Sequence, residues 1–237
     1  MRVRLESLPR REASFVEPME CLSVSRLPEG AAWIWEIELD GYRALAVKSR
    51  TGLTLFSRRT KSFNRQFPHI IEALADLPEG TVVDGEVVAI DDSGRPAFNL
   101  LQNFRAEASR IHYNIFDLLR WKERDVTGLA LFERRGLLKS LVVLRDKRIR
   151  ISDYVEAKPE ALLSAVRDQG LEGIIGKQKD SHYQAGKRSG AWIKYRVNRG
   201  QEFVIGGYFP GPHGIDSLIV GYYDGDRLMY VARTRNG

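Results

Sequence analysis

The sequence has little cysteine and no long apolar run. Cys21 is the single cysteine among 237 residues, so no internal disulfide can form, which agrees with a reducing compartment. The sequence contains no run of 18 apolar residues, which excludes a membrane-spanning helix. The N-terminal stretch from Met1 to Leu5 lacks the apolar core of a signal peptide. We therefore expect a cytoplasmic protein without a membrane partner.

Common nucleotide and metal motifs are also missing. Neither G-x-G-x-x-G nor G-x-x-x-x-G-K-[ST] occurs, so Rossmann and P-loop folds lose their main support. The four histidines, His69, His112, His182 and His213, show no metal-ligand spacing with the lone cysteine. The sequence therefore does not predict a zinc site.

Positive charge is in modest excess and is clustered. Lys and Arg number 37 against 31 Asp and Glu, a formal net charge of +6 that favours a polyanionic partner. Solvated surface charge is the alternative explanation. The basic residues concentrate in two stretches, Arg58, Arg59, Lys61 and Arg65, and then Lys187, Arg188, Lys194, Arg196 and Arg199.

Apolar periodicity predicts strands interspersed with helices at irregular spacing. Strands are predicted at 32–37, 42–49, 54–57, 81–90, 111–119, 173–177 and 191–196, and helices at 67–75, 98–106, 129–140 and 159–169. Asp40-Gly41 supplies a turn signal between the first two strands. This pattern favours an α+β fold with antiparallel sheets over a doubly wound one. Residues 1–30 predict an extended arm on the core, and three further short strands are predicted at 202–208, 217–223 and 227–233.

Six short segments follow one another in a distinctive order. The first, Glu38-Leu39-Asp40-Gly41-Tyr42-Arg43, has the form x-x-D-G-x-R. The others are Ser57-Arg58-Arg59, Asp84-Gly85-Glu86-Val87, Tyr113-Asn114-Ile115-Phe116-Asp117, Glu172-Gly173-Ile174-Ile175-Gly176-Lys177 and Trp192-Ile193-Lys194-Tyr195-Arg196.

Together these segments resemble the ATP-dependent DNA ligases, most closely the ligase domain of bacterial ligase D and its stand-alone relatives. The resemblance implies a nucleotidyltransferase (ATP-grasp-like) domain of antiparallel sheets with flanking helices at 31–200, after the arm at 1–30. It also implies that 201–237 begin an OB-fold β-barrel that is truncated, because three predicted strands fall short of five.

The resemblance places the catalytic lysine nucleophile at position 38, where this chain has Glu38. A carboxylate is a poor nucleophile toward phosphorus, and its charge repels a triphosphate by about 4 kcal/mol at 4 Å and an effective dielectric near 20. Family members also carry a closing basic motif at the far end of the OB domain, which has no counterpart before Gly237. We therefore expect a ligase core that cannot adenylylate itself.

The resemblance also assigns residues to the nucleotide. Glu36 corresponds to an adenine contact, and Leu39 is also expected to bind the nucleotide. Arg43 corresponds to the residue that holds ribose or the DNA end, and Arg58 to a nucleotide- or DNA-phosphate contact. Phe116 corresponds to the aromatic ring that stacks on adenine.

The remaining assignments concern charge and metal. Glu86 corresponds to the carboxylate that meets a ribose hydroxyl and the metal, and Glu172 to a metal-binding carboxylate. Lys177, Lys194 and Arg196 supply positive charge to the phosphates, the last two also as catalytic groups. Arg196 replaces the second lysine of the family's usual K-x-K.

The implied adenylyl donor is ATP, with Mg²⁺ or Mn²⁺, and the implied substrate is nicked double-stranded DNA in repair or recombination. Resemblance to ligase D adds a Ku-type end-joining protein as a partner. A monomer is the default expectation, and the expected location is the bacterial cytoplasm, at the nucleoid. Two alternatives stay open: a non-catalytic nucleotide- or DNA-binding module, and an RNA ligase or capping-type nucleotidyltransferase. Selective binding of ATP over GTP would argue against capping.

Overall fold

The computed structural model describes residues 4–102, 104–142, 146–156, 158–197, 203–212 and 214–235. The chain divides into two compact units, residues 1–198 and 199–237. The strands are β1 (Leu22–Ser23), β2 (Trp33–Ile37), β3 (Tyr42–Ser49), β4 (Gly52–Ser57), β5 (Thr81–Ala89), β6 (Ile111–Trp121), β7 (Arg124–Asp125), β8 (Ile149–Ile151), β9 (Gly173–Gln178), β10 (Trp192–Arg196), β11 (Val204–Gly211), β12 (Gly214–Asp224) and β13 (Arg227–Arg235). The helices are α1 (Pro68–Ala73), α2 (Phe98–Gln102), α3 (Leu131–Leu141) and α4 (Glu160–Asp168).

The first unit contains two sheets. The larger sheet has the order β4-β3-β5-β6-β7, with β8 added parallel to β6. The smaller sheet has the order β1-β10-β9-β2, in which β1 lies parallel to β10. All other neighbouring strands in the two sheets are antiparallel. The α+β prediction is therefore confirmed, with two short parallel pairings added.

The two sheets share an apolar layer. Ile34 and Trp192 come from the smaller sheet, and Leu45, Val47 and Phe116 come from the larger one, all within one buried cluster. A second cluster lies on the outer side of the smaller sheet, where α4 packs. A third packs α1 and α2 against the larger sheet. Because apolar clusters cover both faces of the larger sheet, almost all residues of β5 and β6 are buried, including the charged Asp84, Asp117 and Arg120.

The turn at Asp40-Gly41 does not close a hairpin. It connects β2 of the smaller sheet to β3 of the larger one, so these consecutive strands are not paired. A Cβ at Gly41 would lie 2.2 Å from the Val87 carbonyl oxygen. Glycine is therefore required because the backbone of the crossing segment touches β5. The turn signal predicts a change of direction correctly but does not specify the pairing partner.

Other differences between the predicted and the observed secondary structure concern short elements. The predicted helix at 98–106 ends at Gln102, and residues 104–106 form a turn. The short strands β1, β7 and β8 were not predicted, because two or three residues are too few to show a period. Between residue 4 and β1, the chain has little regular structure apart from a 3-10 turn at Leu5–Ser7.

The second unit is an antiparallel meander of β11, β12 and β13. Much of its apolar surface is exposed, including Ile205, Tyr208, Ile215 and Tyr230. In the described part of the chain these strands do not close into a barrel, as expected for an incomplete OB fold. Among the described residues, no helix is long and apolar enough to cross a membrane.

Candidate active site

A cavity of about 370 Å³ opens in the first unit and has a size typical of small-ligand sites. All eleven residues singled out by the sequence line it: Glu36, Glu38, Leu39, Arg43, Arg58, Glu86, Phe116, Glu172, Lys177, Lys194 and Arg196. Segments far apart in the chain thus meet at one place. Their individual roles toward a ligand remain predictions.

Glu38 lies at the end of β2, where its backbone N–H still donates to the Gly173 carbonyl at 2.9 Å. A Cβ at Gly173 would lie 2.2 Å from the Tyr195 carbonyl oxygen, so a glycine is needed between the two neighbouring strands. The Glu38 side chain is buried and points to the basic residues of β10. Arg196 donates from Nε and Nη2 to Oε1 of Glu38 at 3.1 and 3.0 Å. Lys194 Nζ lies 3.9 Å from the same oxygen.

Arg196 is shared between two carboxylates. Its Nη2 also lies 3.0 Å from Glu172 Oε2, while its side chain remains about half exposed. Hydrogen bonds to Glu38 raise the pKa of Arg196 above its ordinary value. The position predicted for a nucleophilic amine therefore holds an anion, which binds the cations predicted to meet phosphate.

Glu36, two residues earlier, forms a second and deeper ionic cluster. Arg135 Nη1 donates to Glu36 Oε1 at 2.7 Å, and Lys177 Nζ donates to Oε2 at 2.7 Å. All three side chains are buried. Arg135 also donates to the Phe116 carbonyl at 2.8 Å and to the Ser152 carbonyl. This cluster ties β2 and β9 to α3 and β6.

Lys177 also lies against the aromatic side of the cavity. Its Nζ is 4.2 Å from the Phe116 ring centroid and 4.4 Å from that of Trp192. Burial lowers the pKa of Lys177, while the charge of Glu36 opposes that shift. The two rings pack edge to face with centroids 6.1 Å apart. Phe116 and Trp192 thus form an aromatic wall with the Lys177 cation beside it, and such a wall is suited to binding a planar, polar ring.

Arg43 is fixed in place by Asp84. Its Nε and Nη2 donate to the two Asp84 oxygens at 2.7 and 2.6 Å, and Tyr183 donates to Asp84 at 2.6 Å. Burial alone would lower the pKa of Arg43, but Asp84 raises it well above its ordinary value. The guanidinium carbon lies 4.5 Å from the Phe116 centroid. Arg43 is therefore charged and rigid beside the aromatic wall.

Three carboxyl groups near Glu38 have raised pKa values. Burial raises the pKa of Glu86 to about 8, and the charges of Asp84, Asp40 and Glu38 add to the shift. Burial likewise raises the pKa of Asp40 and of Glu172, again with a contribution from Glu38. A negative charge at position 38 thus disfavours ionisation of its neighbours.

Glu86 and Glu172 supply the oxygen atoms that Mg²⁺ and Mn²⁺ prefer, which fits the predicted metal chemistry. Among the described residues, however, no three His, Cys, Asp or Glu side chains are arranged to hold an ion. These two carboxylates would therefore need further ligands from the substrate or from water.

The N-terminal segment contributes more to the cavity than the sequence indicates. Met19, Glu20 and Cys21 line it, and Glu20 receives hydrogen bonds from Arg58 at 2.5 Å and from Arg188. The sequence motifs do not indicate Arg135 either. Its one signal is its place beside Arg134 in a helix that buries Leu131 and Leu138, since arginines in an apolar face must be paired.

Comparison with known proteins gives a consistent result. Residues 17–196 match the family model for the ATP dependent DNA ligase domain. The chain is 36% identical over 229 residues to the multifunctional non-homologous end joining protein LigD of Pseudomonas aeruginosa, a match covering 92% of this chain and 27% of that protein. A match to LigD of Mycolicibacterium smegmatis has 33% identity over 210 residues, covering 86% of this chain and 27% of that protein.

A solved structure of mycobacterial DNA ligase D, complexed with ATP and MES, is also similar. It superposes with a TM-score of 0.68 at 30% identity, over 93% of this chain and 72% of that one. The SPbeta prophage-derived DNA ligase-like protein LigB of Bacillus subtilis is 29% identical, covering 82% of this chain and 72% of that protein. The chain spans about a quarter of the length of the two LigD relatives.

Proposed function

Because this chain belongs to the ATP-dependent DNA ligase family, we propose that it seals DNA nicks that already carry a 5′-adenylate and does not adenylylate itself. One observation supports this proposal: at the position where the family resemblance expects the lysine nucleophile, the carboxylate of Glu38 forms a salt bridge with Arg196. A group without a free amine cannot form the lysine–AMP bond. The remaining ten predicted residues still line one cavity.

Sealing of an adenylylated nick needs no covalent bond to the enzyme. The 3′-hydroxyl oxygen attacks the 5′-phosphorus, a phosphodiester bond forms, and the bond from that phosphorus to AMP breaks. The hydroxyl proton leaves to solvent, and AMP departs with the bonding electron pair. The protein must hold the two ends in line and balance charge on the phosphate oxygens, and we assign this task to Lys194, Arg196 and Arg43, which line the cavity.

Recognition of the AMP group follows from the aromatic end of the cavity. Phe116 and Trp192 offer apolar surface, and Glu36 and Lys177 add polar atoms beside it. At the other end, Glu86 and Glu172 would hold a Mg²⁺ or Mn²⁺ ion, which supplies positive charge to phosphate oxygens when bound. At neutral pH the ion would have to displace a proton from Glu86, whose pKa is about 8.

The names of the LigD relatives point to DNA end joining, and we infer the same pathway here, with nicked duplex DNA as substrate and a Ku-type protein as a partner. A second candidate function is a module that binds nucleotide or DNA without catalysis. It is favoured by the salt bridge at Glu38, which keeps Arg196 from the phosphates until a ligand displaces it.

A sealing assay distinguishes the two. A duplex with a preformed 5′-adenylate at a nick should be joined by the unaltered protein with Mg²⁺ and no ATP, releasing AMP. Lys194→Ala should slow this joining by about 10²- to 10³-fold, because it removes a charge at the phosphate. Failure of the unaltered, folded protein to join this substrate while still binding it would favour the non-catalytic module.

The same preparations test the missing step. With ATP labelled at the α-phosphate, the unaltered protein and Glu38→Gln should form no covalent AMP adduct, and Glu38→Lys should gain one. Glu38→Gln is the matched control because it removes the negative charge without adding an amine. An adduct on the unaltered protein would contradict the proposal.

A further inference from the structure

Every lysine and arginine that lines the cavity already has a carboxylate partner in the structure. Arg43 pairs with Asp84, Lys177 with Glu36, and both Arg58 and Arg188 pair with Glu20. Arg196 pairs with Glu38 and Glu172, and Lys194 lies within ion-pairing distance of Glu38. The lining contains six basic and six acidic side chains.

Glu38 differs from the other carboxylates because it neutralises two cations, Lys194 and Arg196, which are neighbours on one strand. Arg196 and Lys194 are alternate residues of β10, so their side chains lie on one side of the strand and both approach Glu38. A lysine at position 38 would leave these two cations without that anion and would add a third positive charge. Exchange of glutamate for lysine thus changes the local charge by two units.

We propose that Glu38 determines which adenine nucleotide the cavity accepts, favouring an adenylyl group with few phosphate charges over free ATP. This inference rests on the proposed use of the cavity for an adenylyl group. An adenylylated nick and free ATP contain the same adenosine, so the aromatic wall cannot distinguish them. Only the phosphate region can, and Glu38 puts a negative charge beside Lys194 and Arg196, the two cations predicted to meet phosphate.

The chemistry of the two ligands supports this choice. In an adenylylated nick, each of the two phosphate groups of the anhydride bears one negative charge. Free ATP bears about four at pH 7 without metal. Repulsion from a buried carboxylate grows with each added charge, and the loss of free Arg196 and Lys194 removes the attraction that would offset it. Glu38 thereby keeps ATP, which this chain cannot use, from competing with its substrate.

Direct binding measurements test the inference. Dissociation constants for adenosine, AMP and ATP are measured by titration calorimetry at pH 7 in EDTA, for the unaltered protein and for Glu38→Gln. The unaltered protein should bind AMP at least about tenfold more tightly than ATP. Glu38→Gln should reduce that preference by about tenfold or more, because it removes the repelling charge. Adenosine, which has no charge, should bind both proteins within about twofold.

A matched control separates this local effect from a change in net charge. Glu156 pairs with Lys179 outside the cavity, and Glu156→Gln alters the net charge by the same amount. It should leave the ratio of AMP to ATP affinity within about twofold. Glu172→Gln is a second variant, in case Glu38→Gln does not fold. It releases Arg196 from one carboxylate and should shift the ratio in the same direction by a smaller factor.

The possible failures are distinguishable. If adenosine and AMP bind, but ATP binds equally well or the ratio is the same in Glu38→Gln, this inference is overturned and the proposed function stands. If folded protein binds no adenine ligand and does not seal an adenylylated nick, the proposed function is refuted and the inference falls with it. Supporting evidence would also come from added ATP, which should inhibit sealing by Glu38→Gln and not by the unaltered protein.

Discussion

Glu36 and Glu38 differ sharply in their surroundings, although they are two residues apart and line the same cavity. Glu36 binds Arg135 and Lys177, whose side chains are 1% and 3% exposed. Glu38 binds Arg196 and Lys194, whose side chains are 53% and 30% exposed. The two carboxylates have the same chemistry, but buried cations neutralise the charge of Glu36, whereas partly exposed cations neutralise the charge of Glu38.

This difference indicates that the charge of Glu36 stabilises the fold, whereas the charge of Glu38 has another role. The partners of Glu36 come from α3 and β9, so the cluster connects elements that must pack in any ligand state. The partners of Glu38 are within reach of solvent and of a ligand, and Asp40, Glu86 and Glu172 are close enough to repel it. A carboxylate placed among other carboxylates contributes little to stability. We therefore infer that the charge of Glu38 acts on a bound phosphate.

The sharpest test of the comparison is Glu36→Gln, for which we expect a loss of about 3–5 kcal/mol in the free energy of unfolding. The substitution keeps the shape of the side chain and leaves Arg135 and Lys177 buried without a negative partner. Urea unfolding followed by tryptophan fluorescence measures this loss, because Trp33, Trp35, Trp121 and Trp192, the four tryptophans of the chain, all belong to the first unit.

Glu156→Gln provides the control for that measurement. Its salt bridge joins an exposed Glu156 to a partly exposed Lys179, so the substitution should change stability by less than about 1 kcal/mol. An equally small loss for Glu36→Gln would show that the Glu36 cluster is not structural, and the contrast between the two glutamates would disappear.

The sequence predicts which residues meet in the cavity, but not the contrast between Glu36 and Glu38. The resemblance of the six segments to the ATP-dependent DNA ligases predicts that Glu36, Glu38, Lys194 and Arg196 share one site, and all four line one cavity. Position 38 stands out because its flanking residues match a lysine-containing pattern. The strands that carry these motifs were also found, because alternating or continuous apolar runs of five or more residues give a clear signal.

The partners of the motif residues were harder to predict. Arg135 lies 99 residues from Glu36 in the chain, and no local pattern indicates that a helix arginine reaches β2. Glu20 lies in a segment with little regular structure, so nothing periodic places it between Arg58 and Arg188. The pairing of β2 with β9, and not with β3, depends on how the sheets pack and not on the turn between the strands. These features arise from tertiary packing, which single-sequence patterns do not record.

A second prediction concerns Glu86, a carboxyl group of this cavity that forms no salt bridge in the described part of the chain. Its pKa is raised from 4.5 to about 8 in the folded protein, so the folded state binds more protons than the unfolded state between these values. Stability should therefore fall as pH rises from about 4.5 to 8. Glu86→Gln should flatten that fall, measured as urea midpoints across pH 5–8 in EDTA.

The control for this pH dependence is Glu156→Gln, which should retain the slope of the unaltered protein. An unchanged slope in Glu86→Gln would show that Glu86 does not retain its proton in the folded state. In that case the acidic side of the cavity would carry more negative charge at neutral pH than inferred here, and a divalent cation would bind there without displacing a proton.

The smallest effect is expected for Glu38→Gln, which should alter the free energy of unfolding by less than about 1 kcal/mol. Loss of the salt bridge to Arg196 is offset because repulsion of Asp40, Glu86 and Glu172 is relieved at the same time. Unfolding in urea, side by side with Glu36→Gln, measures both carboxylates under the same conditions. A loss of several kcal/mol would place Glu38 with Glu36 as a structural residue. A small change together with altered nucleotide preference would show that its charge acts on the ligand and not on the fold.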